Sequence, residues 1–211
     1  LVGAVGPLDK PHMPDIEGVT RFAGQVIHTA RWDHTADLRG KRVAVIGTGA
    51  SALQLIPNIV GDAQQLDVYQ RTAIWVLPKV DFAIADPVRA LFETAPPTQQ
   101  AMRLVTSAAT EVIMVLGVVQ HTKFPFLVRA MEQVCKQHLR RQVKDPAVRE
   151  KLTPRYSFGC KRPSFSNRYL SSFNRPNTEL VTTPIARITE TSIVTEDGRE
   201  RPIDTLILAT G

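Results

Sequence analysis

Two periods alternate along the chain. Residues 41–46, KRVAVI, form an apolar, β-branched run that stops at Gly47, as a strand covered on both faces does. From Ala50 to Ile59 small and apolar residues suit a helix, with Gly61 where a C-cap would stand. LDVYQR at 66–71 is strand-like again. Strand, tight loop, helix, strand makes a βαβ unit, which predicts parallel pairing and helices against the sheet's faces. Ahead of it, LVGAVG at 1–6 reads as a short buried strand, followed by the Pro-rich connector GPLDKPHMPDIEG.

Between about 84 and 152 the pattern is helical. RALFETA, TQQAMRLVTSAATEVIMVL and FLVRAMEQVCKQHLRRQV carry no convincing strand, and apolar positions 127, 128, 131, 134, 135, 139 and 143 fall mostly on one helical face. VIMVLGVV at 112–119, flanked by Glu111 and Gln120, reads as a buried helix too short for a membrane span. DPAVREKL at 145–152 adds a short helix with Asp145 as N-cap and Pro146 in first position. Strand signals then return. ELVTT is followed by ARITETSIVTEDGRE, a hairpin turning at Asp197-Gly198, and by IDTLILAT, a strand buried on both faces. A helical block this long between the second and third strands exceeds a simple crossover. The predicted class is therefore α/β: a Rossmann-like three-layer parallel sheet with an inserted helical subdomain and a β-hairpin.

Composition narrows function more than fold. At 211 residues, 43% hydrophobic and 22% charged, the chain has room for one good core and an attached lobe. The opening residues lack a signal peptide's basic start, no Met precedes them, and TLILATG stops abruptly on a strand; both ends read as cut from something larger. Cys135 and Cys160 are too few for a disulfide framework or a zinc site and suit free thiols in a reducing, cytoplasmic setting. His34 lies near His28, but no acid or Cys at ligand spacing supports a metal. A net charge of +6 favours an anionic partner. The densest basic run, KQHLRRQVK at 136–144, lacks the interleaved aromatics of a single-strand platform and reads as a solvated helix face. A phosphorylated cofactor is thus the expected anion, with no nucleic acid and no membrane span.

VAVIGTGASALQL gives that cofactor a place: strand, G-x-G-x-x-A, helix. Gly47 allows the tight turn, Gly49 lets the backbone approach a pyrophosphate, and Ala52 keeps the helix close to the strand. Thr48, Ala50, Ser51 and Gln54 complete the loop, and the helix N-terminus offers unpaired N–H groups. The βαβ setting makes the motif specific. NAD-type sites place an acid about 20 residues on, at the tip of the second strand. Here Arg71 and Thr72 stand at the tip, and Asp67 lies too early within the strand. A guanidinium and a hydroxyl suit a 2′-phosphate, which predicts NADP(H).

Directly upstream stands RFAGQVIHTARWDH, residues 21–34. Phe22, Gly24, His28 and Trp32, followed by Asp33, match the F-x-G-x-x-x-H-x-x-x-W-[P/D] fingerprint of the Baeyer–Villiger monooxygenases. The chain resembles these class B flavoprotein monooxygenases over nearly its whole length. In that family the fingerprint sits in the linker between the FAD and NADP domains, immediately before the NADP-binding loop, as it does here. QRTAIWVLP, FGCKRPSFSNRYLSSFNRPNTELV at 158–181 and LATG, with Ala209 and Thr210, resemble further family segments in the same order.

The resemblance implies residues 1–40 as a linker from an FAD domain, 41–83 and 153–211 as the NADP-binding domain and 84–152 as a helical insertion. It implies that Arg162 lies near the flavin and offsets negative charge on it. Lys161 would help Arg71 and Thr72 hold the 2′-phosphate, and His28 would be a structural and gating residue rather than a general base; the plainer alternative is a histidine hydrogen-bonded to a linker carbonyl. The implied partners are NADPH, the FAD domain of the same parent protein and a small-molecule ketone or sulfide. No first G-x-G-x-x-G loop for FAD is found, since Gly3 and Gly6 are followed by Pro7; the chain is expected to bind NADP(H) without turnover. Three alternatives stay open. A related flavin-containing or N-hydroxylating monooxygenase shares the glycine loop but usually not the Trp-Asp ending. A stand-alone NADP-binding module would never meet a flavin. A flavin-dependent disulfide reductase wants a C-x-x-C pair, which Cys135 and Cys160 do not form.

Overall fold

The computed structural model describes residues 10–79, 81, 83–115, 123 and 125–211. The strand predicted at 1–6 and the last four residues of the run at 112–119 lie outside these. In chain order the elements are β1 (Gln25–His28), β2 (Arg42–Ile46), α1 (Ala50–Ile59), β3 (Gln65–Tyr69), β4 (Val76–Leu77), α2 (Asp86–Thr94), α3 (Pro96–Met114), α4 (Pro125–Gln142), α5 (Pro146–Lys151), β5 (Ser164–Phe165), α6 (Tyr169–Ser172), β6 (Thr178–Val181), β7 (Ile185–Ile188), β8 (Ser192–Thr195), β9 (Glu200–Pro202) and β10 (Thr205–Leu208).

The central sheet has the order β1-β10-β2-β3-β6, parallel throughout. The predicted βαβ unit is β2–α1–β3, and β10 lies between β1 and β2 with all four residues buried. Side chains sort by the two-residue period of a strand. Val43, Val45, Leu66, Val68 and Ile207 join one core with α1, α6 and the last turns of α4; Ala44, Ile46, Tyr69, Leu206 and Leu208 join a second core on the opposite face.

That opposite face departs from the expectation of helices on both sides. An antiparallel meander, β7–β8–β9, closes it through Ile188 and Ile193, with Ile203 beyond the last strand. The crossover from β6 to β10 is the alternating segment 185–202, which cannot bury an apolar stripe as a helix would. The predicted hairpin is its β8–β9 half, where Gly198 takes φ 77° in the turn.

Two local readings are corrected. α1 ends through Val60 in right-handed conformation, and Gly61 is not left-handed. Asn177 Nδ2 donates to Val60 O and Ala63 O at 2.9 and 2.8 Å, so it satisfies carbonyls that a glycine cap would otherwise serve. The run beginning at residue 112 is helical but not buried at Val112 and Val115, which are exposed, as are Met102, Leu104 and Val105 on the same helix. α3 packs chiefly on α2, itself without a buried residue. α4 behaves otherwise: Val128, Cys135, Leu139 and Val143 are buried, and only Val134 of its predicted apolar face is counted among the exposed. At α5 the N-cap reading holds, with Ala147 N donating to Asp145 Oδ1 at 2.8 Å. Among the described residues no helix is long and apolar enough to cross a membrane.

Candidate functional site

From β2 the chain steps outward through β3 to β6, then returns to β10 on the other side of β2. The carboxyl ends of β2 and β10 therefore flank the point where strand order reverses, where open α/β sheets bind ligands. Gly47–Gly49 leave β2 there, and Ala209 and Thr210 leave β10. Gly47 has φ 108°, and a Cβ on it would come 2.5 Å from Ala209 O; no other residue fits. Gly47 N donates to Tyr69 O and Ala209 N to Ile46 O, at 3.2 and 2.9 Å, which ties the loop to both neighbouring strands.

Gly49 is different. A Cβ there would meet nothing within 4 Å, so the backbone faces open space. It is the N-cap of the ten-residue α1 and makes no side-chain cap bond. Ala52 is fully buried against the sheet, while Ala50, Ser51 and Gln54 are exposed, with Gln54 Nε2 donating to Ala50 O at 3.2 Å. Thr48 is buried and its Oγ1 donates to Thr72 O at 3.3 Å, linking the loop to the tip of β3. Free N–H groups, a positive dipole end and an open approach suit a pyrophosphate.

At that tip Arg71 is exposed and has no ion pair among the described residues, with Thr72 half-buried beside it. A cavity of about 440 Å³ opens here, lined by Gln70, Arg71 and Thr72 and by Lys151, Arg155 and Tyr156. Gln70 holds the two segments together: its N–H donates to Val181 O at 2.8 Å and its Nε2 to Lys151 O at 2.7 Å. Asp67 is 4% exposed beneath the meander, where burial raises its pKa and Gln65 Nε2 donates to it at 2.8 Å. It is too deep to meet a ribose.

The segments 71–79 and 156–167, far apart in sequence, run side by side. β4 pairs with β5, Trp75 Nε1 donates to Tyr156 O at 3.0 Å, and Asn167 Nδ2 donates to Lys79 O at 2.7 Å. The Trp75 ring contacts Tyr156 and Phe158 at centroid distances of 6.4 and 6.3 Å. Lys161 does not line the cavity itself; its Nζ lies 5.1 Å from the ring centroid of Tyr156, which does. Arg162 is exposed and without an ion pair among the described residues. Both cysteines are free; burial pushes the Cys135 thiol up to about 12, so it is inert at neutral pH. Among the described residues no group of His, Cys, Asp and Glu could hold a metal.

A family model for flavin-binding monooxygenase-like proteins matches residues 3–95. A Baeyer–Villiger monooxygenase of Streptomyces coelicolor is 41% identical over all 211 residues, which cover 40% of its length. The chain is a homologue of the Baeyer–Villiger monooxygenases. A steroid monooxygenase bound to NADP has the same fold, with a TM-score of 0.81 and 33% identity over 98% of this chain and 46% of that one. OTEMO in complex with FAD and NADP gives 0.77 at 29% identity, over 99% and 46%. The chain thus spans about 40% of the length of the curated relatives it matches.

The Baeyer–Villiger fingerprint forms the edge of the sheet. β1 occupies its middle, within the stretch read from sequence as linker. Phe22 is buried in the core under the meander, whereas Trp32 packs on the helix-covered face. Gly24 threads between them: a Cβ would come 2.5 Å from both Asp204 O and the Phe22 ring. His28 is 8% exposed, and its Nδ1 accepts from Ala30 N at 3.1 Å. The partner is an amide rather than a linker carbonyl, and Nε2 is buried without a hydrogen-bond partner among the described residues. Asp33 accepts from Thr35 N and Oγ1 at 2.9 and 2.6 Å, bonds that lower its pKa, and from Gln25 Nε2 at 3.2 Å.

Lys151, Arg155 and the positioning residue Gln70 carried no signal in sequence. α5 reaches the tip of β3 only through a tertiary contact, and spacing from the glycine loop cannot reveal it.

Proposed function

We propose that this chain is the NADP(H)-binding domain of an FAD- and NADPH-dependent Baeyer–Villiger-type monooxygenase. The observation that carries the reading is Arg71: a cation without a carboxylate partner among the described residues, at the strand tip where an NAD site holds an acid. The open backbone at Gly49 on the same end of the sheet supports it. Gly47–Ala52 and Gln54 hold the pyrophosphate, with Ala209 and Thr210 across the crevice. Arg71 and Thr72, aided by Lys161, hold the 2′-phosphate, and Arg162 places its charge toward the flavin. When bound, NADPH supplies a hydride and FAD the oxygen chemistry that converts a ketone or a sulfide. This chain orients the nicotinamide cofactor and sets positive charge around it; the FAD domain of the same parent protein is its partner, in a cytoplasmic setting that keeps both thiols reduced. These 211 residues alone bind NADP(H) and do not turn over.

Calorimetric titration with NADP+, NAD+ and FAD tests this. A charge-assisted contact to phosphate contributes about 1.5–3 kcal/mol. Arg71→Ala is therefore expected to weaken NADP+ at least tenfold and to leave NAD+ almost unchanged. Equal affinity of the unaltered chain for both nucleotides removes the 2′-phosphate assignment, and tight FAD binding removes the domain assignment.

A further inference from the structure

The cavity at the tip of β3 is more cationic than Arg71 alone makes it. Lys151 closes α5 and Arg155 follows it; both are exposed, and both line the cavity together with Arg71 and Thr72. Glu150 is the single carboxylate on that lining and stands 3.8 Å from Arg155. Three cations against one acid leave a charge of +2, the complement of a phosphomonoester, which carries about −2 near pH 7. Gln70, 5% exposed, is also on that lining. Its Nε2, bonded to Lys151 O, fixes the end of α5 against β3 independently of the lysine side chain.

We infer that Lys151 and Arg155, which line the same cavity as Arg71, complete the 2′-phosphate site, and that together they set the preference for NADP over NAD. The inference rests on the NADP reading above. Lys161 is held over the Tyr156 ring and is not on the lining. Among the described residues Lys151 has no ion pair, its Nζ lying 3.5 Å from Leu180 O, and Arg155 has only the exposed Glu150 at 3.8 Å.

The test is calorimetry of the 211-residue chain with NADP+ and NAD+ for Lys151→Ala, Arg155→Ala, the double variant and Arg149→Ala, with melting temperature as a check on folding. Arg149 lies on α5 but does not line this cavity, so it controls for general loss of charge. Each single substitution is expected to weaken NADP+ about fivefold and the pair more than tenfold, with NAD+ within twofold and Arg149→Ala without effect. Equal loss for NADP+ and NAD+, or a loss no larger than that of Arg149→Ala, overturns the inference. If Arg71→Ala discriminates the nucleotides while these variants do not, the inference fails alone. If the unaltered chain does not prefer NADP+, the NADP reading fails with it.

Discussion

Arg42 and Asp204 begin neighbouring strands and grip each other from both sides. The guanidinium donates to both carboxylate oxygens at 3.0 and 2.6 Å, and Arg42 N donates to Asp204 Oδ2 at 2.9 Å. These bonds hold the Asp204 pKa at about 2, below its ordinary 3.8. A depressed carboxylate contributes stability that is present above its ordinary pKa and lost as pH falls through the folded value. The pair is about one-third exposed, so screening reduces its worth to about 1 kcal/mol. Asp204→Asn is expected to lose that much in urea unfolding at pH 7, with the gap to the parent narrowing as pH approaches 2. Asp67 runs the other way. Burial raises its pKa, so stability is lost as pH rises from the ordinary carboxylate value through the raised folded one, and Asp67→Asn is expected to be at least as stable as the parent at pH 8. A variant less stable there would refute that sign. At this scale the glycine loop was legible because its residue choices answer to local backbone geometry. Lys151 and Arg155 were not, because their meaning comes from what shares the cavity with them.

β4 and β5 are two residues each, too short for any period to register, yet they decide where the segment 156–162 lies. Trp75 is their anchor: 3% exposed, bonded to Tyr156 O, and packed with Phe158, Val128 and Cys135. Trp75→Ala removes a large buried ring and is expected to cost about 3–5 kcal/mol in chemical unfolding, and tryptic cleavage at Arg155 and Lys161 should quicken. Unchanged cleavage would mean that the segment is held by other contacts. The βαβ unit was legible because strand and helix there each carry several turns of their own pattern. The meander was half legible: Asp197-Gly198 announces one hairpin, but nothing in residues 185–188 says that a third strand will complete the layer in place of a helix.

The molecule divides its burial unevenly. β2, β3 and β10 are covered on both faces, while α2 and α3 leave Leu91, Met102, Leu104, Val105 and Val112 exposed. Opening free energies follow local burial, so hydrogen exchange is expected to run through 86–112 first and through the three central strands last; equal protection in both would contradict this. Sequence showed that a helical lobe exists but not that its apolar residues lack cover, since a helical period reports a face and not what lies opposite it. The fingerprint at the sheet's edge carries a different lesson. With Phe22 lodged on one side of β1 and Trp32 on the other, the string acts as a rivet through the rim of the sheet. A descendant of this chain could lose every group that touches a cofactor and still keep the rivet, because the sheet needs it. As a diagnostic, the string therefore sorts sequences by how they are built, and the chemistry has to be read from the residues at the strand tips.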